Sequence, residues 1–584
     1  MKNILLPIAI ALASTLTLHA ITPQMLQTES VTDELTRRYI TPVRTVAISP
    51  ELGASVKNAD ALLQHFDGQL TVSSPEVCVL STRNGNRSAV LVDFGRELCG
   101  GIELAASIRA SQKAAKVRIC LGESVSEALS DVSAPGATAT NEHSVRDFTI
   151  DLPWLGTIEV GNSGFRFALV ELMEPDTELP LRAIRGVLRY RDIPYTGAFS
   201  CSDSRINDIW ATGAYTVHLN MQNYLWDGVK RDRLVWVGDL HPEVMTIANV
   251  FGNYDVVKKS LDFARDTSPL PGWMNGIAAY SMWWMIIHRD LCLYSGDTDY
   301  LAAQLDYMHR LVDCFAAGLD GNKENFQGGQ RLLDWPTSEM PEVIHCGYQS
   351  LLVMAMDAGT QIGEWAGDTA LSDKCTALAK KLRKHTPPTN GNKQAAALAL
   401  LSDMAKNRKA ERNAITEGKA HGFSTFYGYY MLEALGKEKA SAEALSILSD
   451  YWGLMLDLGA TTFWEDLVYE EGLKATRIDE IVPEGSFDIH ASAGDYCYKG
   501  HRHSFCHGWA SGPTPWLSRY VLGVRPLKPG FEEVVVEPCL GTLEWAEGSV
   551  PTPKGPIHVK HRRLPDGKID TELHLPDGVR LAAH

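Results

Sequence analysis

The spacing of hydrophobic and polar residues divides the chain into three regions. Between about residues 40 and 195, short runs such as SAVLVDFG and FRFALVELM are rich in β-branched and aromatic residues and are separated by Gly, Pro, Asn and Ser. Several runs alternate apolar and polar positions, as half-buried antiparallel strands do. We therefore expect a β-sandwich in this region, ending at the turn formed by residues 194–197.

The middle region has helical periodicity. From about residue 203, apolar residues recur every three or four positions in long segments such as SRINDIWATGAYTVHLNMQNY and GYQSLLVMAMDAGTQIGEWAG. Roughly ten to twelve such segments without intervening strands predict a large all-α domain of stacked helix pairs, either a solenoid or a closed α/α toroid. A solenoid repeats its sequence at a fixed period, and these helices show no such period, which favours the toroid.

The last region returns to short strands. After Pro526 the runs EEVVVEP, GPIHVKHRR and IDTELHLP are broken by PDG turns. This segment is small for an independent domain, so we expect it to pack against the helices. The predicted organisation is a signal peptide over residues 1–20, a β-sandwich region over 21–197, a helical domain over 198–524 and a C-terminal β-sandwich over 525–584.

The first twenty residues, MKNILLPIAIALASTLTLHA, have the layout of a cleaved secretory signal. One lysine precedes an apolar run, and the small residue Ala20 stands at its end. The run is shorter than the ~20 apolar residues that a membrane span needs. We therefore predict export, to a periplasm or out of the cell, and no membrane span.

Composition narrows the classes of partner. The net charge of −16, without a long basic run, argues against a nucleic-acid partner. Eleven cysteines are scattered without Cys-x-x-Cys pairs, and the histidines at 501, 503 and 507 lack the carboxylate partner of a zinc enzyme. We expect neither a metal nor another cofactor.

Charged and aromatic residues gather in a few short stretches. The densest is DGVKRDRLVWVGD, residues 227–239, which read alone also suits solvated ion pairs on a surface helix. The others include Trp273, the pair Asp334-Trp335, GATTFWED at 459–466 and HRHSFCHGW at 501–509. Aromatic rings beside carboxylates suit a sugar site, because sugar faces stack on the rings and hydroxyl groups bond to the polar groups. Glycoside hydrolysis also requires two carboxyl groups, one on each side of the scissile bond.

These stretches resemble glycoside hydrolase family 78, whose best-known activity is α-L-rhamnosidase. The first matches the family's pattern of Asp, then Arg and an acidic residue, then Trp-Thr-Gly-Asp, here Trp236-Val-Gly238-Asp239. The others are Gly-Ala-Thr-Thr-x-Trp-Glu, here residues 459–465, and Ser-x-x-His, here residues 504–507. The resemblance implies an (α/α)6 toroid flanked by β-sandwiches and hydrolysis with inversion at the anomeric carbon.

The resemblance also implies roles for particular residues. Glu465 matches the general base. The family usually has a Glu as general acid after the Arg, and this chain has none between Asp227 and Asp239. Asp232, directly after Arg231, is our predicted acid; Glu243 is the alternative, and weak or altered catalysis is a third reading. The predicted substrate-binding residues are Asp227, Arg231, Trp236, Asp239, Trp273, Asp334, Trp335, Trp464 and His507.

The sequence thus predicts an exported, inverting exo-α-L-rhamnosidase that removes terminal rhamnose from a glycan or glycoside. Two alternatives stay open. Lys230, Arg231 and Arg233 leave room for an α/α-toroid hydrolase or lyase acting on uronic acids. The missing Glu leaves room for a carbohydrate-binding relative without catalysis. The linkage, the aglycone and the oligomeric state are left open.

Overall fold

The computed structural model describes residues 33–72, 76–496 and 498–582. The predicted signal peptide lies outside these residues. The order predicted from the sequence, a β-rich region, an all-α toroid and a small β-rich region, is confirmed.

The N-terminal region forms one antiparallel sheet of eight strands. They are β1 (Thr36–Ile40), β2 (Arg44–Val46), β3 (Cys78–Ser81), β4 (Ser88–Ala106), β5 (Ala115–Gly122), β6 (Asp147–Leu152), β7 (Gly156–Leu172) and β8 (Glu178–Tyr190). Their order is β1-β8-β4-β7-β5-β6, with β2 on β4 and β3 on β8. One face holds the main core of this domain, and the short helices Pro50–Gly53 and Val125–Ala128 cover part of the other.

Six helices of the middle region form a closed inner ring, since each contacts the next and the last contacts the first. They are Val237–Val250, Ala278–Ser295, Pro341–Ala366, Lys393–Leu401, Gly428–Lys437 and Pro513–Trp516, the last continued by a π-helical turn at Leu517–Val521. Every residue of Val237–Val250 is buried, whereas an outer helix such as Asp255–Asp266 buries one face.

Six further helices pack on this ring. They are Ser204–Asn220, Asp255–Asp266, Leu305–Ala317, Thr369–Leu382, Arg408–Thr416 and Ser441–Asp457. The shorter elements of the region are the helices Thr298–Ala302 and Tyr469–Gly472 and the hairpin of β10 (Leu319–Asp320) and β11 (Lys323–Glu324). Within the described part of the chain, no helix combines the length and the hydropathy needed to cross a membrane.

The C-terminal region contains two small sheets. Its strands are β12 (Val524–Pro526), β13 (Glu533–Val536), β14 (Trp545–Val550), β15 (Ile557–Arg563), β16 (Ile569–His574) and β17 (Arg580–Leu581). The four-stranded sheet has the order β16-β15-β14-β9, so β9 (Ala198–Cys201), directly before the first long helix, belongs to the C-terminal sheet. The other sheet, β12-β13-β17, contains one parallel pair.

Candidate active site

A cleft opens at the end of the ring where several inner helices begin. The loop before Val237–Val250, the first turns of Val237–Val250 and Ala278–Ser295, and the loops before the third and last inner helices all reach it. The residues that line it are Asp227, Arg231, Asp232, Trp236, Asp239, Ile277, Tyr280, Gln330, Leu332, Trp335, Glu465, Tyr498, His507 and Trp509.

The charged segment 227–236 is a tight loop rather than a surface helix. Asp227 and Leu234 exchange hydrogen bonds, from the Asp227 N–H to the Leu234 carbonyl oxygen at 3.1 Å and from the Leu234 N–H to the Asp227 carboxylate at 2.8 Å. Asp232 and Arg233 at its tip have φ values of 56° and 58°, a strained region for residues other than glycine. Asp227 and Arg231 are buried, so the surface-helix reading is wrong.

Arg231 joins the two carboxylates that the sequence assigns to catalysis. Its Nη2 contacts the Glu465 carboxylate, and its Nη1 lies 3.3 Å from Oδ1 of Asp232. The Ser504 N–H donates to Oε2 of Glu465 at 3.3 Å. Burial raises the pKa of Glu465, but the charges of Arg231 and of the neighbouring histidines outweigh burial and lower it to about 2. Glu465 is therefore ionised throughout the neutral range.

His507 lies between two carboxylates. Its Nε2 is 3.0 Å from Oδ1 of Asp239, and its Nδ1 is 3.8 Å from Oε1 of Glu465. Burial lowers the pKa of His507, but Glu465, Asp239 and Asp227 together raise it to about 9. The imidazole is therefore a cation at neutral pH. Tyr280 completes this group by donating its hydroxyl to Oδ2 of Asp239 at 3.4 Å.

Asp227 and Asp239 differ from Glu465 in proton affinity. Burial and nearby carboxylates raise the pKa of Asp227 well above its ordinary value, and burial is also the main cause of the raised pKa of Asp239. One cleft thus holds an ionised carboxylate beside two carboxyl groups whose pKa values are raised. Such a difference in proton affinity is how active sites separate acid from base roles.

Asp232 occupies the more open side of the cleft. Its side chain is 20% exposed, and its Oδ2 accepts a hydrogen bond from the Trp236 indole at 3.2 Å. His143 of the N-terminal sheet domain places its Nδ1 3.6 Å from Oδ1 of Asp232. A ligand in the cleft mouth would therefore meet the sheet domain as well as the helical ring.

Four of the predicted site residues lie outside the cleft lining. Glu243 is fully buried against the backbone of Gly508, and neither of its carboxylate oxygens has a hydrogen-bond partner among the described residues. Burial raises the pKa of Glu243 well above its ordinary value. It therefore lies behind the cleft, outside its lining.

The other three residues, Trp273, Asp334 and Trp464, contact neighbouring side chains outside the cleft lining. Trp273 stacks on Phe315 with ring centroids 5.7 Å apart. Asp334 is buried behind Trp335 and accepts a hydrogen bond from the Ser424 hydroxyl at 2.5 Å, and burial raises its pKa to about 6. Trp464 is fully buried and stacks on Phe505 at 4.2 Å.

The predicted set of site residues left out several residues that line the cleft. Tyr280, Tyr498 and Trp509 contribute aromatic surface, and Gln330, Leu332 and Ile277 complete the lining. Tyr280 stands in the first turn of an inner helix, as Asp239 does. An aromatic residue within one turn of a helix start is the signal that would have found it, once the inner helices were known.

Comparisons with known proteins agree on one family. The model of the bacterial alpha-L-rhamnosidase six-hairpin glycosidase domain matches residues 194–521, more than half of the chain. The model of the bacterial alpha-L-rhamnosidase C-terminal domain matches residues 523–584.

Individual relatives are more distant. An alpha-L-rhamnosidase of Streptomyces avermitilis is 23% identical over 438 residues, which are 70% of this chain and 40% of that protein. One of Alteromonas is 30% identical over 132 residues, 22% of this chain and 12% of that protein. This chain therefore spans less than half the length of these curated relatives.

Solved structures share the fold. The family 78 rhamnosidase of Bacillus sp. GL1 superposes with a TM-score of 0.69 at 22% identity, covering 87% of this chain and 54% of that one. The rhamnosidase from Klebsiella oxytoca, solved with rhamnose bound, superposes with a TM-score of 0.63 at 18% identity, covering 85% of this chain and 98% of that one.

Proposed function

Because this chain belongs to the bacterial α-L-rhamnosidase family with a six-hairpin glycosidase domain, we propose that it hydrolyses terminal α-L-rhamnosyl groups of glycans or glycosides. The observation that carries the proposal is the bridge from Arg231 to both Asp232 and Glu465 in a cleft lined by Trp236, Trp335 and other aromatic rings. The family's solved relatives from Klebsiella oxytoca and Streptomyces avermitilis hold rhamnose.

Glu465 is the general base in this proposal. Its ionised carboxylate accepts a proton from the water that attacks the anomeric carbon, and Arg231 and the Ser504 N–H hold the carboxylate in place. Attack from the face opposite to the leaving group inverts the anomeric configuration. His507, Asp239 and Asp227 bind the sugar hydroxyls, and the aromatic rings stack on its apolar face.

Asp232 is the proposed general acid. It stands in the open part of the cleft, where an aglycone oxygen can approach it. Asp227 is a second candidate for proton donation, because burial and nearby carboxylates raise its pKa well above its ordinary value. Glu243 is disfavoured, because it does not line the cleft.

The three cations that left a uronic-acid substrate open as an alternative already have partners within the protein. Lys230 bonds to buried carboxylates, Arg231 bonds to Glu465, and Arg233 donates to the carbonyl oxygen of Asn162 at 2.9 Å. Their engagement favours a neutral deoxysugar over an acidic one. We also propose that the protein acts on chain ends and that it is exported. Export is inferred from the N-terminal sequence.

The test is hydrolysis of p-nitrophenyl α-L-rhamnoside and of a natural rhamnoside by the mature protein. We expect Glu465→Gln to lose activity on both substrates. Asp232→Asn should lose activity mainly on the natural substrate, because the aryl leaving group needs little protonation. Glu243→Gln should retain activity. Proton NMR of the first product anomer reports inversion.

Three outcomes would change the proposal. Loss of activity in Asp227→Asn or Glu243→Gln, with Asp232→Asn active, would move the acid role to that residue. Binding of rhamnose without any cleavage in a single turnover would leave a carbohydrate-binding protein. Failure to bind or cleave any rhamnoside by a folded protein would refute the assignment of substrate.

A further inference from the structure

A buried ammonium group joins the N-terminal sheet domain to the cleft loop. Nζ of Lys230 lies 2.9 Å from Oε2 of Glu123, just before the short helix Val125–Ala128, and 3.1 Å from Oε1 of Glu127, within that helix. All three side chains are buried. Lys230 is the residue directly before Arg231, so this contact lies one position away from the group that binds Glu465.

The same ammonium also holds the loop that carries His507. Nζ of Lys230 donates to the carbonyl oxygens of His501, at 2.9 Å, and of His503. Glu123 adds a second anchor, because its Oε2 accepts a hydrogen bond from the Phe505 N–H at 2.6 Å. The sheet domain therefore contacts the segment 501–507 directly and through Lys230.

The arrangement explains a cluster that would otherwise suggest a metal ion. Ligand atoms of Glu123, Glu127 and His490 lie within 4.8 Å of one another. Nζ of Lys230 bonds to both carboxylates and lies 3.3 Å from Nε2 of His490. A side-chain cation thus already neutralises the position where a metal would bind.

The held loop contacts the proposed base. The Ser504 N–H donates to Oε2 of Glu465 at 3.3 Å, and the Glu465 N–H donates to the Ser504 carbonyl oxygen at 3.0 Å. Nε2 of His503 accepts from the N–H of Asp466 at 2.9 Å. A displacement of the loop would therefore displace the carboxylate.

Close packing keeps the sheet against this point. A Cβ atom on Gly164 of β7 would lie 2.6 Å from Cγ2 of Val229 and 2.9 Å from the backbone nitrogen of Lys230, so only glycine permits this approach. The Ser144 hydroxyl of the sheet domain donates to the Lys230 carbonyl oxygen at 2.9 Å. The backbone and the side chain of Lys230 are both held by the sheet domain.

We propose that Lys230 is a positioning residue through which the N-terminal sheet domain holds the loop 501–507 in register with Glu465. The sheet domain is then part of the catalytic unit rather than an appendage. This inference rests on the proposed function for its kinetic consequences and on the contacts above for its structural ones.

The first test is Lys230→Met on the full chain. We expect kcat to fall about 100-fold with a much smaller change in KM, because misplacement of a catalytic group by ~1 Å costs about that factor. Glu465 is faced by Arg231, His503, His507, Asp239 and Asp466. Since the loop carries two of these groups, the acid limb of the pH profile should also move to higher pH.

Lys393→Met is the matched control. The Nζ of Lys393 also holds three carbonyl oxygens, those of Ile415, Glu417 and Lys419, but at a turn that does not line the cleft. We expect it to lose stability with kcat and the pH profile unchanged. Equal loss of kcat in both variants would overturn a positioning role for Lys230.

A second variant covers the case in which Lys230→Met does not fold. Lys230→Met with Glu123→Gln removes one charge of each sign, while Glu127 keeps its pair with Arg146 at 3.1 Å. The titratable and charged groups that remain around position 230 are Glu97, Glu127 and Arg146, together with His490 and His501. We expect a folded protein with the same low kcat, and restored kcat would overturn the proposal.

Hydrogen exchange separates this inference from the proposed function. Amides of residues 501–507 should exchange faster in the double variant than in Lys393→Met, whether or not the protein cleaves rhamnosides. Faster exchange without rhamnosidase activity in the wild-type protein would refute the function and retain the positioning contact. If the wild-type protein cleaves rhamnosides but these amides exchange no faster in the double variant than in Lys393→Met, the positioning contact alone would be refuted.

Discussion

At the scale of single residues, the cleft is organised by unequal proton affinity. Glu465, with a pKa of about 2, touches Arg231, whereas Asp227, with a raised pKa, is buried beside other carboxylates. His507, with a pKa of about 9, lies between Asp239 and Glu465. Carboxyl groups of one cleft therefore have pKa values shifted in opposite directions, because each has different neighbours.

The Arg231 contact predicts a pH effect. A base whose pKa is lowered stays ionised in acid, so removal of the cation in Arg231→Gln should let Glu465 take up a proton at higher pH. We expect the acid limb of kcat/KM to move upward by about 1–3 pH units. Arg233→Gln, two residues on and bonded to Asn162, is the control. An unmoved acid limb in Arg231→Gln would contradict this electrostatic account.

His507 predicts a dependence of stability on pH. Its folded-state pKa of about 9 lies above the ordinary 6.5, so its stabilising contribution is complete below pH 6.5 and is lost as the pH rises through 9. His507→Gln should remove this part of the Tm decline between pH 6.5 and 9.5. The exposed His574→Gln is the control. Parallel Tm profiles for wild type and His507→Gln would argue against a buried imidazolium.

At the scale of elements, the geometry of the cleft depends on how closely the first turns of two inner helices pack against each other. Gly238, in the first turn of Val237–Val250, lies against the ring of Tyr280, in the first turn of Ala278–Ser295. A Cβ on Gly238 would lie 2.2 Å from Cε1 of Tyr280. Because Tyr280 donates to Asp239, this packing also sets a hydrogen bond of the cleft.

Gly238→Ala should therefore reduce both stability and activity. Overpacking of this kind costs about 1–3 kcal/mol, and the displaced Tyr280 releases Asp239. Gly436→Ala makes the same kind of clash, 2.4 Å from Cε1 of Tyr520, but near the end of its helix, away from the cleft lining. It should lose stability and keep kcat/KM. Chemical denaturation and steady-state kinetics test the pair, and full activity in Gly238→Ala would contradict the packing argument.

At the scale of the whole molecule, the sheet domain and the helical ring share buried contacts. The sheet core continues into Leu219, Val229 and Cys506 of the helical region. Arg166 of β7 is buried, binds Asp93 of β4 and donates to the carbonyl oxygen of Gly459 at 2.9 Å. Separation of the two parts would expose the apolar face and would remove the Gly459 carbonyl oxygen to which Arg166 donates.

This sharing predicts one unfolding transition. Differential scanning calorimetry of the full chain should give a single peak, because neither part keeps its buried groups satisfied without the other. The van't Hoff enthalpy should approach the calorimetric enthalpy where unfolding is reversible. Two resolved peaks would show that the sheet domain folds and melts independently of the ring.

The sequence by itself determined the order of β-rich, helical and β-rich regions, because hydrophobic period and turn residues are local properties. It also marked Asp227, Arg231 and Glu465, whose motifs are short. Only the tertiary structure decided which residues meet. Trp464 and Asp334 became buried supports and Tyr280 became a cleft residue, because closure of the ring sets which side chains face the axis. The contact of Lys230 with Glu123 crosses more than a hundred residues, so no local pattern encodes it.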